Sequence, residues 1–375
     1  MSGARAYPPG QHPDLPPPDG TVGPLAWARA RLFSTPVNAG LTLAALAFLA
    51  LVLPPLLDWL LVRADFRPHA SARDCDGLGA CWAVVTRQPL QYFVGFYPAS
   101  EIWRPILAFL LLLGAGYVAL APHVPWRRHL AWGVALYPLV AAWLLLGGGP
   151  LEEVSTIKWG GFLLTLVLGV AGIAASLPLG ILLALARRSD LPVMRFLATA
   201  FIEGVRGIPL IVFLFFVSVL LPLFFPEGMT FDKLVRALIA VALFESAYMA
   251  EVVRGGFQAV PRGQYEAAAA LGLGYWRTTA LITLPQALKV AIPGIVNTFI
   301  ALFKDTSLVI TIGLLELLGT AKLILANENW IAVPEEAFVF VAFLFWVPCF
   351  FMSRYSVALE RRLAEGADRK RGPLR

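Results

Sequence analysis

This sequence is poor in charge. Only 14% of its 375 residues are Asp, Glu, Lys or Arg, against 58% hydrophobic. Soluble domains carry about 25% charged residues, so too few remain here to cover a globular surface, and the composition reads as an integral membrane protein. Cysteine is scarce as well: Cys75, Cys81 and Cys349 form no CxxC pair, and His12, His69, His123 and His129 are scattered, which argues against a zinc site. No lysine follows a glycine, so the GK[ST] loop that cradles nucleotide phosphates is missing and the chain is no ATPase. HExxH and GxSxG are missing too, and no carboxylate cluster marks a membrane face, so a membrane enzyme ranks last among the readings. The first twenty residues lack the apolar stretch of a cleavable signal peptide; rich in proline and glycine, they predict a disordered tail over residues 1–37.

What is present is a series of apolar runs. A spanning helix needs about 20 apolar residues, and backbone groups in lipid favour helices. Eight runs qualify: Gly40–Val62, Pro105–Ala121, about 130–146, Gly161–Ala186, about 208–225, about 234–252, about 290–315, and Ala337–Val357. The expected fold is therefore all-α with about eight spans.

The net charge of +6 concerns topology more than nucleic acid, because the basic residues sit in short connections. Arg127, Arg128, Arg187, Arg188, Arg195, Arg254, Arg262, Arg277 and Lys289 mark one side, together with the basic tail at 359–375. That side is assigned to the cytoplasm and carries both termini. The opposite short loops hold Lys158, Lys233 and Lys322 among acids such as Glu152 and Glu153. The segment 63–104 departs from the rule with five arginines on the outer side, but it is the longest such loop, where the rule weakens. In a bacterial inner membrane it would face the periplasm, where Cys75 and Cys81 either form a disulfide or stand as free thiols. Asp74 and Asp76 fall short of the six to eight oxygens calcium takes.

One cytoplasmic stretch is neither span nor ordinary loop: EAAAALGLGYWRTTALITLP, Glu266 to Pro285. Gln264–Leu271 has strong helix formers, with Glu266 expected in the first turn. Gly272 and Gly274 permit a sharp turn, and Pro285 opens the next helical segment. A short, alanine-narrowed helix between two spans is shaped to lie on a partner or on lipid.

Glu266-Ala267-Ala268, Gly272 and Ile282-x-Leu284-Pro285, in ungapped register, match the EAA signature of ABC importer permeases. With Phe201–Leu210, Glu245–Gly274 and Phe299–Val309, residues from about 160 to 358 resemble polar amino-acid permeases of the histidine/glutamine type. The three preceding spans and the external loop resemble the longer M-type subunit of general L-amino-acid permeases. The resemblance implies an N-terminal extension at 38–158 and a type I (MetI-like) permease domain at 159–358, its core built from the last five spans. It also implies a transport subunit with no cofactor of its own, coupled through the EAA loop to a cytoplasmic ATPase that holds ATP and Mg. A second permease subunit, as a heterodimer, and a periplasmic amino-acid-binding protein complete the implied partners. Glu266 would meet the ATPase, Ala267 and Ala268 would permit close packing, and Gly272 would set the bend.

Ionisable residues inside spans tend to mark pathways or paired interior sites. Lys304 and Asp305, with Thr306 and Ser307, interrupt the seventh span, and Glu245 lies within the sixth. They are candidates for a translocation pathway or a subunit interface, against an internal ion pair. Glu203 and Arg206 are spaced to pair on one helix face, and Glu251 and Arg254 to snorkel. An ion-driven secondary transporter is the alternative, but no repeated halves are evident. A docking or signalling protein without transport is a third.

Overall fold

The computed structural model describes residues 23–120, 127–226 and 231–371. Most of the expected N-terminal tail and the end of the C-terminal one lie outside them. Among the described residues there is no sheet, only isolated bridges. Two compact units are present, Met1–Asp65 with Asp76–Cys81, and Phe66–Cys75 with Trp82–Arg375.

The first unit begins with α1 (Pro24–Arg31), a helix where the sequence predicted a structureless tail. Proline at its first turn and the helix formers after it account for the difference. Thr42 in α2 (Pro36–Leu57) donates its hydroxyl to Leu32 O at 2.8 Å, closing the turn between the two. Thr35 caps α2 by accepting from Asn38 N. Pro54 and Pro55 cannot donate within α2, and the helix widens into a π turn at Asp58–Val62.

In the second unit, the segment expected as an external loop is folded. It carries α3 (Ala83–Thr86) and α4 (Pro89–Val94), with Tyr92 fully buried and edge-on to Phe340. A hairpin follows, α5 (Trp103–Leu120) and α6 (Arg127–Leu146). The core helices come next: α7 (Gly161–Arg187), α8 (Pro192–Arg206), α9 (Leu210–Phe215), α10 (Lys233–Gln258), α11 (Arg262–Ala270), α12 (Tyr275–Thr278), α13 (Leu284–Asp305), α14 (Leu317–Leu325) and α15 (Pro334–Arg371). The last runs through most of the expected basic tail.

Five described helices are long and apolar enough to cross a membrane: Pro36–Val62, Ala99–Ala119, Gly161–Arg187, Tyr275–Ile312 and Pro334–Leu363. A sixth arises if Pro192–Arg206 and Leu210–Phe224, bent by 109°, count as one broken span. The expected count of eight is thus not met in full. The expected third span keeps only the short apolar helix Trp132–Leu146. The expected sixth is α10, long enough at 26 residues, but Lys233, Arg236, Glu245, Glu251 and Arg254 dilute its apolar character.

The centre of this unit is the contact of α10 with α7 and α13. Small residues let these helices approach closely, as in membrane bundles generally. A β-carbon at Gly180 of α7 would lie 2.6 Å from Met249 Cβ, and one at Gly256 of α10 would lie 2.4 Å from Ala287 O of α13. Ala184, Ile202, Ala250, Val253 and Ala291 are buried around these crossings, and Leu164, Leu168, Ala237 and Leu302 form a second apolar core along the same helices. At the opposite end from Gly256, Gly161 takes a φ of +58°, and Tyr92 O occupies the space a β-carbon would need, so both backbone and packing call for glycine. Glu316, fully buried, caps α14 by accepting from Leu318 N and Gly319 N, each at 2.8 Å. Burial pushes its pKa up to about 7 against the pull of those two N–H groups.

Replacing Gly256 by Val should therefore cost ~1–3 kcal/mol through overpacking, read as a lowered thermal unfolding midpoint of the purified complex. Gly263→Ala, where a β-carbon meets nothing within 4 Å, should leave the midpoint unchanged.

Candidate functional site

The Gly256–Ala287 crossing brings the end of α10 against the start of α13, and the chain between them projects as a short helical hairpin. Its helix α11 starts at Arg262, so Glu266 stands a turn deeper than the sequence suggested. Leu271 ends it, and Gly272 reverses the chain at φ +70°. Gly272 N donates to Ala269 O at 2.9 Å and Leu273 N to Ala268 O at 3.0 Å, satisfying the last carbonyls of the helix. From Tyr275 the chain is helical through a π turn at Thr279–Thr283 into α13, so Pro285 sits in the first turn of α13 inside a longer rod.

The signature residues divide between two faces. Glu266, Ala267, Gly272 and Pro285 are exposed, Ile282 and Leu284 are half-buried, and Ala268 is buried at 1% exposure. Ala268 turns inward, where its small side chain packs inside the chain, while Ala267 stays open. Large apolar side chains flank the open face: Leu271 is 77% exposed and Trp276 71%. Such anchors beside a charged residue make a surface fit for protein contact.

Two ties hold the hairpin to the spans. The Arg188 guanidinium, just beyond α7, lies 4.5 Å from the Phe257 ring centre and 5.8 Å from that of Tyr265, and Nη2 donates to Tyr265 OH at 3.1 Å. Gln286 Nε2 of α13 donates to Gln264 Oε1 at 3.0 Å and to Ile282 O at 2.9 Å. Arg188 was noted in the sequence only as a topology charge. Its place between two rings from different segments has no local signal.

Beside this base lies a cluster of five charges from three helices. Glu251 accepts from Arg187 at 2.6 Å and from Arg254 at 2.7 Å, with Arg206 at 3.8 Å, while Glu203 takes the other arm of Arg187 at 2.8 Å. The expected Glu203–Arg206 pair is thus replaced by Arg187–Glu203, and Arg206 lies over Tyr248 instead. Glu251 is a hub rather than a snorkelling end. Three cations on two carboxylates leave one positive charge in excess at the base of the hairpin.

The other candidate residues sit apart from this site. Helix α13 ends at Asp305 and continues as a 3₁₀ turn at Thr306–Ile312. Lys304 is exposed and Asp305 half-buried. Thr306 donates its hydroxyl to Phe303 O at 2.7 Å and Ser307 to Lys304 O at 2.8 Å, so both hydroxyls serve the helix end. Glu245 of α10 is 3% exposed. Cys75 and Cys81 are both disulfide-bonded, and Cys349 is a buried free thiol.

Residues 176–365 match the family model described as binding-protein-dependent transport system inner membrane component. The chain is 48% identical over 361 residues to the inner membrane amino-acid ABC transporter permease protein YhdY of Escherichia coli (strain K12), covering 95% of this chain and 97% of that protein. It is 40% identical over 418 aligned positions to the glutamate/glutamine/aspartate/asparagine transport system permease protein BztC of Rhodobacter capsulatus, covering 93% and 95%. A crystal structure of an amino acid ABC transporter with histidines aligns with 54% of this chain and 92% of its own at 31% identity and a TM-score of 0.48. With its apolar helices and its EAA hairpin, the chain belongs to the binding-protein-dependent ABC permeases, as a multi-pass inner membrane protein.

Proposed function

We propose that this chain is the membrane-spanning permease subunit of an ATP-driven amino-acid importer, with the α11 hairpin as the seat of its ATPase. The observation that carries the reading is the hairpin itself. It is tied to α7 through Arg188 and to α13 through Gln286, yet it presents Glu266, Ala267, Leu271 and Trp276 outward. An element fixed at its base and open at its tip transmits force from whatever grips the tip. ATP and Mg belong to the partner ATPase, as the missing phosphate loop implies.

The amino-acid substrate class is supported by relatives named as amino-acid permeases. A second permease subunit and a periplasmic amino-acid-binding protein complete the assembly, with both termini and the hairpin in the cytoplasm. Within the spans, exposed Lys304 and half-buried Asp305 offer the two signs of charge that an amino-acid zwitterion presents, at a pathway or a subunit interface, with Glu245 buried in α10. The excess positive charge around Glu251 gives the cytoplasmic side the sign expected from the topology rule.

Proteoliposomes holding the assembled complex should accumulate an amino acid only with ATP. Uptake driven by an ion gradient alone would establish the secondary-transporter alternative. Leu271→Asp should weaken ATPase retention about tenfold or more, since losing a central anchor typically costs ~2 kcal/mol. Undiminished co-purification would remove the hairpin as the seat. Arg188→Ala should retain the ATPase but lower the amount of amino acid moved per ATP hydrolysed; a wild-type ratio would take Arg188 out of the coupling route.

A further inference from the structure

A cavity of about 1130 Å³ separates the α5–α6 hairpin from the core helices α7 and α10. The hairpin helices pack on each other, while neither makes more than a glancing approach to α7. What joins the hairpin to its surroundings lies at one end: Tyr97 OH donates to Leu145 O at 2.9 Å, and buried Arg104 donates to Glu152 O at 2.6 Å. The walls are almost wholly apolar, from Phe109 and Leu112 on one side to Leu166, Val170 and Ala174 on the other.

The cavity has a definite depth. Along α7 it is lined from Leu163 to Ala175, which at 1.5 Å per residue is about 18 Å. The hydrocarbon core of a bilayer is about 30 Å thick, so one leaflet is about 15 Å. The groove begins at the end of α7 remote from the EAA hairpin and stops near mid-membrane. A spanning helix of another subunit would need the whole thickness; an acyl chain needs only this.

Apart from Tyr137, whose hydroxyl donates to Ala108 O, and Trp159, its polar side chains are gathered at the mouth, where Glu153, Ser155, Thr156 and Asp232 line it. Thr156 Oγ1 donates to Asp232 Oδ2 at 2.6 Å, and Asp232 Oδ1 accepts from Leu234 N and Val235 N. Asp232 Oδ1 is thereby filled, while Oδ2 still has a lone pair to offer beside the Glu153 carboxylate, and no lysine or arginine lines the groove. Lys233 reaches elsewhere, its Nζ 3.5 Å from where a β-carbon on Gly313 would stand. A mouth of acceptors selects a cationic group.

We infer that this groove holds a phospholipid of the leaflet opposite the EAA hairpin, its acyl chains between α5–α6 and α7 and an ammonium-bearing headgroup, as in phosphatidylethanolamine, at Glu153 and Asp232. The lipid completes the packing that joins the hairpin to the permease core, since an apolar void of this size would forfeit contacts along its whole lining. The inference needs only that α5, α6 and α7 cross a bilayer; it stands or falls separately from the direction and substrate of transport.

The test uses the full complex reconstituted in nanodiscs of equal phosphatidylethanolamine and phosphatidylglycerol, extracted into detergent and read by native mass spectrometry. Wild type should retain a phospholipid through detergent exchange, with phosphatidylethanolamine severalfold enriched over phosphatidylglycerol. Ala174→Trp, on an exposed groove-lining position, should lower retention severalfold while the ATPase still co-purifies. Glu153→Gln, at the solvent-exposed mouth, should keep the lipid but reduce the headgroup preference. Retention unaffected by Ala174→Trp, an equal or reversed headgroup ratio in wild type, or a cysteine at Ala142 crosslinking to a second permease subunit would each overturn the inference.

Discussion

A helix crossing with no room for a β-carbon organises this molecule. Where Gly256 lies on Ala287 O, the end of α10 and the beginning of α13 are pressed together. The residues between them are left no path except a hairpin standing out from the bundle. The same crossing sets Phe257 where Arg188 can lie on it, so that α7 joins the base. Removing the crossing would loosen more than one contact, because the ties at Arg188 and Gln286 presuppose that all three helix ends are already gathered.

Above that base the hairpin is a rigid piece with a soft outer surface. Its internal turn is closed by backbone hydrogen bonds at Gly272 and Leu273, and the buried side of α11 is a single small residue, Ala268. The exposed side offers aromatic and aliphatic anchors, the composition expected at the centre of a protein contact. The charged cluster around Glu251 lies beside the base, so that the ends of α7, α8 and α10 are held electrostatically as well as by packing. Pairs this exposed contribute modestly one by one, but the shared acceptor Glu251 links the three helix ends.

Much of this was legible in the sequence, and the failures have a common cause. Fixed spacings along one segment carry the hairpin: Glu266, Gly272 and Pro285 are read without knowing any other part of the chain. Apolar runs likewise give α2, α5, α7, α13 and α15. What could not be read depends on contacts between segments far apart. Glu203 and Arg206 have ideal local spacing, yet Arg187 arrives from another helix and takes the glutamate. Ala267 and Ala268 are neighbours in one motif, but only the helix's rotation decides which faces outward. Among the charges of α10, Glu251 finds its partners on α7 and α8 and Arg236 reaches Ser218 O beyond α9, which composition alone cannot credit. Asp305 and Thr306 were read as a break in a span, and the helix does change to 3₁₀ geometry there. The destination of the Thr306 hydroxyl, back to its own helix end, needed the backbone.

The central claim is that the hairpin and the start of α13 form one body, so that force at the tip reaches the spans undiminished. Spin labels at Leu271 and at exposed Val290, in the assembled transporter, measure this directly by electron–electron distance. The account predicts one narrow distance that is the same without nucleotide, with ATP, and after hydrolysis. A distance that broadens or shifts between those states would show the hairpin flexing on its base and contradict the account.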